Sequence, residues 1–363
     1  MIRKTLKELC CLPGVSGYED CVGKYMFQWF RKYTSRVTSD TAGNLIAEFK
    51  SRNADAKRVM VFAHMDQLGF VVKRIDDAGF LRIERLGGIP EKILPGLEVM
   101  VRNRKGEWIS GVIGNKSHHV TDASEKYRVI PISELYVDMG FSSTREAKES
   151  GILTGCPVVY KPRFESLHNE KCYGTALDNR GGCAVLLDLA EKLSKSSCEL
   201  NVFLVGTVQE EYNLRGAMVG CASVEPDFAI ALDVAITGDT PDMKEILPVS
   251  VDGGPVMSMY NFHGRGTLNG TIPHPYLTEM AEKAAAGLKM PLQRTASCGI
   301  LTDASYVQLY RKGVPVIDLG FPCRYTHTAV ELCSIKDLEK LSCLVERILR
   351  DTPPDVDFTR KYE

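Results

Sequence analysis

The chain has no stretch that approaches the roughly 18 uninterrupted apolar residues of a membrane span. Its opening residues, Met1-Ile2-Arg3-Lys4-Thr5-Leu6-Lys7-Glu8-Leu9, hold no apolar core of signal-peptide length. These absences predict a soluble, cytoplasmic protein with no membrane partner. An excess of one charge is also missing: 45 Lys and Arg oppose 46 Asp and Glu, for a formal charge of -1. With no basic block anywhere, nucleic acid is not an expected partner. No two cysteines have the Cys-x-x-Cys spacing, which excludes a zinc knuckle or a thioredoxin-like redox centre. Twelve cysteines in 363 residues fall well below the density of a disulfide scaffold. Segments such as Gly182-Cys183-Ala184-Val185-Leu186 read instead as free thiols packed as small hydrophobes in a reducing compartment.

What is present is enough sequence for about two domains. The texture changes twice along it. Residues 1–67 predict helices over about 2–12 and 18–33, strands at 37–38 and 44–49, and a buried, parallel-type strand at 58–63. Residues 68–162 hold short strands and glycine turns, at 70–75, 80–85, 98–101, 108–113 and 135–139, with one helix near 143–148. From 163 onward helices and apolar strands alternate. Helices are predicted at 179–194, 215–222, 275–286, 302–310 and 334–349, and strands at 200–208, 228–233, 288–293 and 314–319. The expected architecture is an α/β domain, residues 1–67 plus 163–363, interrupted by a small β-barrel-like unit at 68–162.

Several of these strands end on residues that hold metals. His64 closes 58–63. Asp66, two residues on, is placed to hold that imidazole by its second nitrogen or to orient the site. Asp178 precedes a glycine-rich helix, where a helix cap and a metal ligand both suit a carboxylate. Glu210-Glu211 follow the apolar run 200–208, where two adjacent acids are costly unless a cation is near. Asp233 closes 228–232; its plainer role is a turn cap. His327 follows Arg324-Tyr325-Thr326 and on its own reads equally as a loop histidine. Together they give each of two metals a histidine and a terminal carboxylate, with Asp178 left to bridge. Spacing leaves the pairing of ligands to metals open. Glu210, not needed as a ligand, is free to act as general base. His118 and His119, in the β-rich segment, lack accompanying carboxylate-rich strand ends and are expected to be solvent-exposed or to help locally near the substrate.

The segments Ala63-His64-Met65-Asp66, Ala176-Leu177-Asp178-Asn179-Arg180, Val208-Gln209-Glu210-Glu211, Ala231-Leu232-Asp233, Thr302-Asp303-Ala304 and Arg324-Tyr325-Thr326-His327 resemble the M42 metallopeptidases. These are glutamyl/leucyl-type aminopeptidases that include the tetrahedral TET enzymes. The resemblance runs over essentially the whole chain. It implies a zinc-exopeptidase-like three-layer αβα domain with an inserted PDZ-like dimerisation barrel, assembled through dimers into a dodecamer. It implies two divalent ions per subunit, zinc first, with cobalt or manganese also suited to such ligands. One ion takes His64, Asp178 and Asp233, and the other takes Asp178, Glu211 and His327. Glu210 is the general base and Asp66 the carboxylate behind His64. The implied reaction releases N-terminal residues from peptides. The chain departs from the family pattern at Gln67, Asn179, Tyr212, Asn213, Ile300 and Leu301. These flank the site and bear on substrate choice without removing a ligand. Two rival readings are another metal-dependent amide hydrolase, such as a deacylase or carboxypeptidase-like enzyme, and a non-catalytic assembly protein that keeps the fold.

Overall fold

In the computed structural model, which describes all residues except 54, 245, 265–268, 361 and 363, the strand Arg58–His64 shows how the main sheet is built. Its side chains alternate between two faces. Val59, Val61 and Ala63 join one apolar core, while Met60 and Phe62 join another. A strand buried on both sides must be apolar between its ends, as this one is from Val59 to Ala63. Asn201–Thr207 lies parallel on one side of it and Phe228–Ile236 on the other; Val316–Arg324 extends the parallel set. Antiparallel strands flank this set, Leu45–Phe49 at one edge and Glu331–Ser334 at the other, within a 12-stranded sheet.

Helices cover both faces. Ile2–Cys10, Asp20–Phe30, Leu177–Lys195, Pro275–Gly287 and Ile335–Asp351 contribute to the first core. In the first of these, Ile2, Leu6 and Leu9 fall on one buried stripe, at the spacing of an amphipathic helix. Gly216–Val224 and Ala304–Val307 pack on the opposite face through Ala217, Cys221, Ala304 and Val307. The result is the expected three-layer αβα arrangement.

A second unit follows His64. Six strands close a barrel in the order Gly69–Ile75, Leu81–Leu86, Val137–Asp138, Trp108–Ile113, Glu98–Arg102 and Pro157–Tyr160. Closure leaves no free sheet edge. The barrel has its own core, with Phe70, Val72, Leu81, Val99, Val101, Ile113 and Val158 at its centre. Gly79 turns one hairpin at φ +90° and Gly106 another at φ +85°, a backbone region that strains side-chain-bearing residues. The helix expected near 143–148 is Thr144–Glu149, capped by the Ser143 hydroxyl accepting from the Glu146 amide at 3.2 Å.

Several elements differ from the sequence expectation, the short strands Phe164–Ser166, Lys171–Gly174 and Glu331–Ser334 among them. The strand expected at 288–293 begins only at Gln293 and runs to Cys298. Residues 288 and 289 finish the preceding helix, with Lys289 in the left-handed region at φ +53°. The helix expected at 302–310 is α-helical only over Ala304–Val307; beyond it the amides of Leu309 and Tyr310 bond three residues back, to Tyr306 and Val307, tightening the end. Val256–Phe262 is a strand that periodicity missed, because Tyr260 and Asn261 interrupt its apolar character. Among the described residues no helix is long and apolar enough to cross a membrane, and all twelve cysteines are free.

Candidate metal centre

The carboxyl ends of the parallel strands converge on one cleft of about 460 Å³, lined in part by His64, Asp178, Glu210, Glu211, Asp233 and His327. Ligands in open α/β sheets gather at such strand ends. A larger hollow of about 690 Å³ lies on the barrel and includes His118. It contains none of these acids, and His118 and His119 are exposed and join no ligand group among the described residues.

His64 is the last residue of its strand. Its Nε2 stands 3.0 Å from Asp178 Oδ1 and 3.9 Å from Asp233 Oδ1. His327 approaches from the last loop, with Nε2 3.8 Å from the other oxygen, Asp178 Oδ2. Asp178 thus presents one oxygen to each imidazole. The groups His64–Asp178–Asp233 and Asp178–Glu211–His327 each bring one ligand atom per residue within 4.8 Å of the others; so does His64–Glu210–Glu211. The five candidate ligands and Glu210 are therefore brought together.

The far side of each imidazole is also held. His327 Nδ1 donates to the carbonyl of Gly88, in the barrel loop, at 2.8 Å. His64 Nδ1 lies 3.2 Å from the carbonyl of Asp66 and 3.4 Å from its carboxylate. Such bonds fix the tautomer and leave Nε2 free for a metal. The Asp66 carboxylate has further work. Its Oδ1 accepts from the Glu210 amide at 3.0 Å, and its Oδ2 accepts from the Glu211 amide at 3.1 Å and from the Ser16 hydroxyl at 2.6 Å. It orients the pair of glutamates as much as the histidine. Gln209, at φ +56°, turns the chain so that both amides face it.

Burial raises the Glu210 carboxyl well above its usual range, which nearby His64 opposes and Glu211 reinforces. Burial raises Glu211 and Asp233 in the same way, with Asp178 adding to both. Acids so close and so dry do not all stay ionised unless cations share the space. Among the described residues, Glu211 Oε1 is buried without a hydrogen-bond partner. An orphaned carboxylate oxygen grouped with Asp178 and His327 is free to bind a cation. The donor set, two imidazoles and three carboxylates, suits divalent ions of the zinc type.

The model of the M42 glutamyl aminopeptidase family matches residues 43–344. The chain belongs to this family. It is an aminopeptidase, a hydrolase acting on peptides. The SgcX protein of Escherichia coli (strain K12) is 38% identical over 337 residues, covering 93% of this chain and 90% of that one. An aminopeptidase from the archaeon Desulfurococcus kamchatkensis has a similar structure at a TM-score of 0.90 and 31% identity, covering 98% and 96% of the two chains. The TET1 peptidase of Pyrococcus horikoshii, which can assemble into a tetrahedron or a large octahedral shell, aligns at a TM-score of 0.85 and 28% identity over 97% and 100%.

Sequence reasoning about this M42 aminopeptidase overlooked Glu331. It is 2% exposed, and its two oxygens accept from the amides of Asp178 and His327, each at 2.8 Å. It clamps the backbones of both residues that face each other across the cleft. It opens the short strand Glu331–Ser334, which is too brief to mark an acid by contrast. Replacing Glu331 with Gln is expected to weaken metal binding about 10- to 100-fold, read by competition with a chromogenic chelator. Unchanged affinity would leave Glu331 a purely structural group.

Gln67, one of the departures from the family pattern, faces the fully buried Arg180. Arg180 Nη2 donates to Gln67 Oε1 at 3.2 Å, while Arg180 Nε and Nη1 and Gln67 Nε2 have no partners among the described residues. Gln67→Glu exchanges an orphaned donor for a charged acceptor. It is expected to stabilise the protein by about 1–3 kcal/mol, measured as a rise in the denaturation midpoint at pH 7. A fall would show that the guanidinium already has its acceptors.

Proposed function

We propose that this aminopeptidase is dinuclear and metal-dependent and releases N-terminal residues from short peptides. One divalent ion would be held by His64, Asp178 and Asp233, and the other by Asp178, Glu211 and His327. Zinc suits this set best, and cobalt or manganese also fits. The observation that carries the reading is Asp178, whose two oxygens face two separate histidines, each with its own further carboxylate. When bound, such ions supply Lewis acidity toward water and toward a peptide carbonyl. Glu210, buried beside His64 and Glu211, takes the proton of the attacking water and delivers it to the leaving amine. Asp66 positions Glu210 and His64 together. A substrate's free α-amine meets an acidic cleft, which favours a chain terminus over an internal bond.

The rival deacylase reading makes the opposite demand on the amine. The test is a panel of aminoacyl-arylamides and short peptides, free and N-acetylated, offered to metal-reconstituted protein. Cleavage of the free forms alone is expected. Equal cleavage of the acetylated forms would replace this reading with the deacylase one.

Residues 1–67 with 163–363 would form the catalytic domain, and 68–162 an assembly domain around the barrel. Dimers joining into a dodecamer agree with the tetrahedral shell of the TET1 relative and with a near-zero net charge. The free thiols suit a reducing cytoplasm. Sedimentation velocity is expected to give species far above the 40.2 kDa chain. One species near that mass would defeat the assembly proposal.

A further inference from the structure

The catalytic cleft has a side cavity that the proposed chemistry does not use. Val234, Ile236, Ile300 and Thr302 line both, so the cavity adjoins the site. Three of these four wall residues are apolar. The interior is more polar: Asp318, Asn261, Ser258, Thr295 and Ser297 also line it. Asp318 is 4% exposed, and its Oδ2 accepts from the Thr302 hydroxyl at 2.8 Å and from Asn261 Nδ2 at 3.4 Å. Among the described residues its Oδ1 receives no hydrogen bond. Burial lifts its carboxyl to about 6, which the Thr302 bond opposes, and no cation contributes. A carboxylate buried with one free oxygen, and with no counter-ion beside it among the described residues, is a favourable partner for a cation supplied from outside.

Size and depth say which cation. The cavity measures about 30 Å³, and a water-sized group takes at least about 10–15 Å³ by the same measure. That admits a compact ammonium. A planar guanidinium is a poorer fit. Asp318 pairs with Ala231 on the neighbouring parallel strand, two residues before Asp233. Two residues of strand place it about 7 Å deeper than that proposed ligand. An extended lysyl side chain reaches about 6 Å from Cα to Nζ by standard bond lengths. Its methylenes would then lie against Val234, Ile236 and Ile300.

Resting on the aminopeptidase reading above, we infer that this cavity receives the end of the side chain of the substrate's N-terminal residue and, through Asp318, selects lysine. Arginine is accepted less well. Glutamate is rejected, because its carboxylate would face another in a dry site.

Two measurements on the metal-loaded protein test this. The first compares kcat/KM for lysyl, arginyl, leucyl, alanyl and glutamyl arylamides. Lysyl is expected to exceed leucyl and glutamyl by at least about tenfold, the effect of roughly 1.4 kcal/mol. Asp318→Asn is expected to lower the lysyl-to-alanyl ratio by a similar factor. The second is calorimetric titration with L-lysine and with L-norleucine, which differ at the side-chain end by the ammonium. L-lysine is expected to bind at least about tenfold tighter to the unaltered protein, a result that does not depend on how the variant folds. Alanyl and leucyl turnover without lysyl preference, or equal binding of the two amino acids, overturns the lysine assignment and leaves the aminopeptidase reading standing. Failure to cleave every arylamide overturns both.

Discussion

Changing Glu210 to glutamine is expected to cut turnover by about 100- to 10,000-fold, the usual worth of a general acid–base group, while both metal ions stay bound. The side chain keeps its shape and loses only its capacity to accept and return a proton. The proposed ligands, His64, Asp178, Glu211, Asp233 and His327, are untouched. The amide of Glu210 still donates to Asp66, so the turn that presents Glu211 is preserved. Elemental analysis of the purified variant and its kcat against a free-amine peptide check the two halves separately. Intact metal with near-normal turnover would move the base elsewhere. Lost metal would make Glu210 a ligand, in line with its grouping beside His64 and Glu211.

Asp178→Ala is expected to act the other way, removing the metals first and activity as a consequence. This side chain is proposed to serve both ions, and its oxygens stand opposite two histidines. Removing an outer-shell partner of a ligand already costs about 10- to 100-fold in affinity, so losing the shared ligand should cost at least about 100-fold for each ion. The fold should survive, because the bond that ties this residue to Glu331 uses its backbone amide. Equilibrium dialysis against labelled zinc, with circular dichroism as a fold control, reads both. One ion retained at normal affinity would show that Asp178 does not bridge.

The sheet was legible because burial on two faces leaves a mark: the runs Val59–Ala63 and Val202–Gly206 hold no polar side chain. The groups at their ends were legible by contrast, a histidine or acid stepping out of an apolar run. Glu331 and Gly88 left no such mark, since each acts through a backbone group. Glu331 accepts from main-chain amides, and Gly88 offers only its carbonyl. No residue type announces a carbonyl. The strand Val256–Phe262 was hidden for a different reason. Its polar Asn261 faces inward, donating toward Asp318 and accepting from the Thr271 amide, so tertiary partners override its local pattern. Asp66 was recognised, but its larger task, holding the two glutamate amides, depends on the turn at Gln209, which spacing does not reveal.

The Gly88 carbonyl has a thermodynamic consequence. It belongs to the barrel, while the His327 ring that it orients belongs to the main sheet. Whatever shifts the barrel loop alters the basicity and aim of that ring, and so the retention of an ion beside it. Free-energy linkage makes this reciprocal: if filling the site steadies the barrel, then anything that docks on the barrel tightens the site by the same factor. A chain that assembles through its barrel would then be loaded with metal most firmly once it is no longer alone.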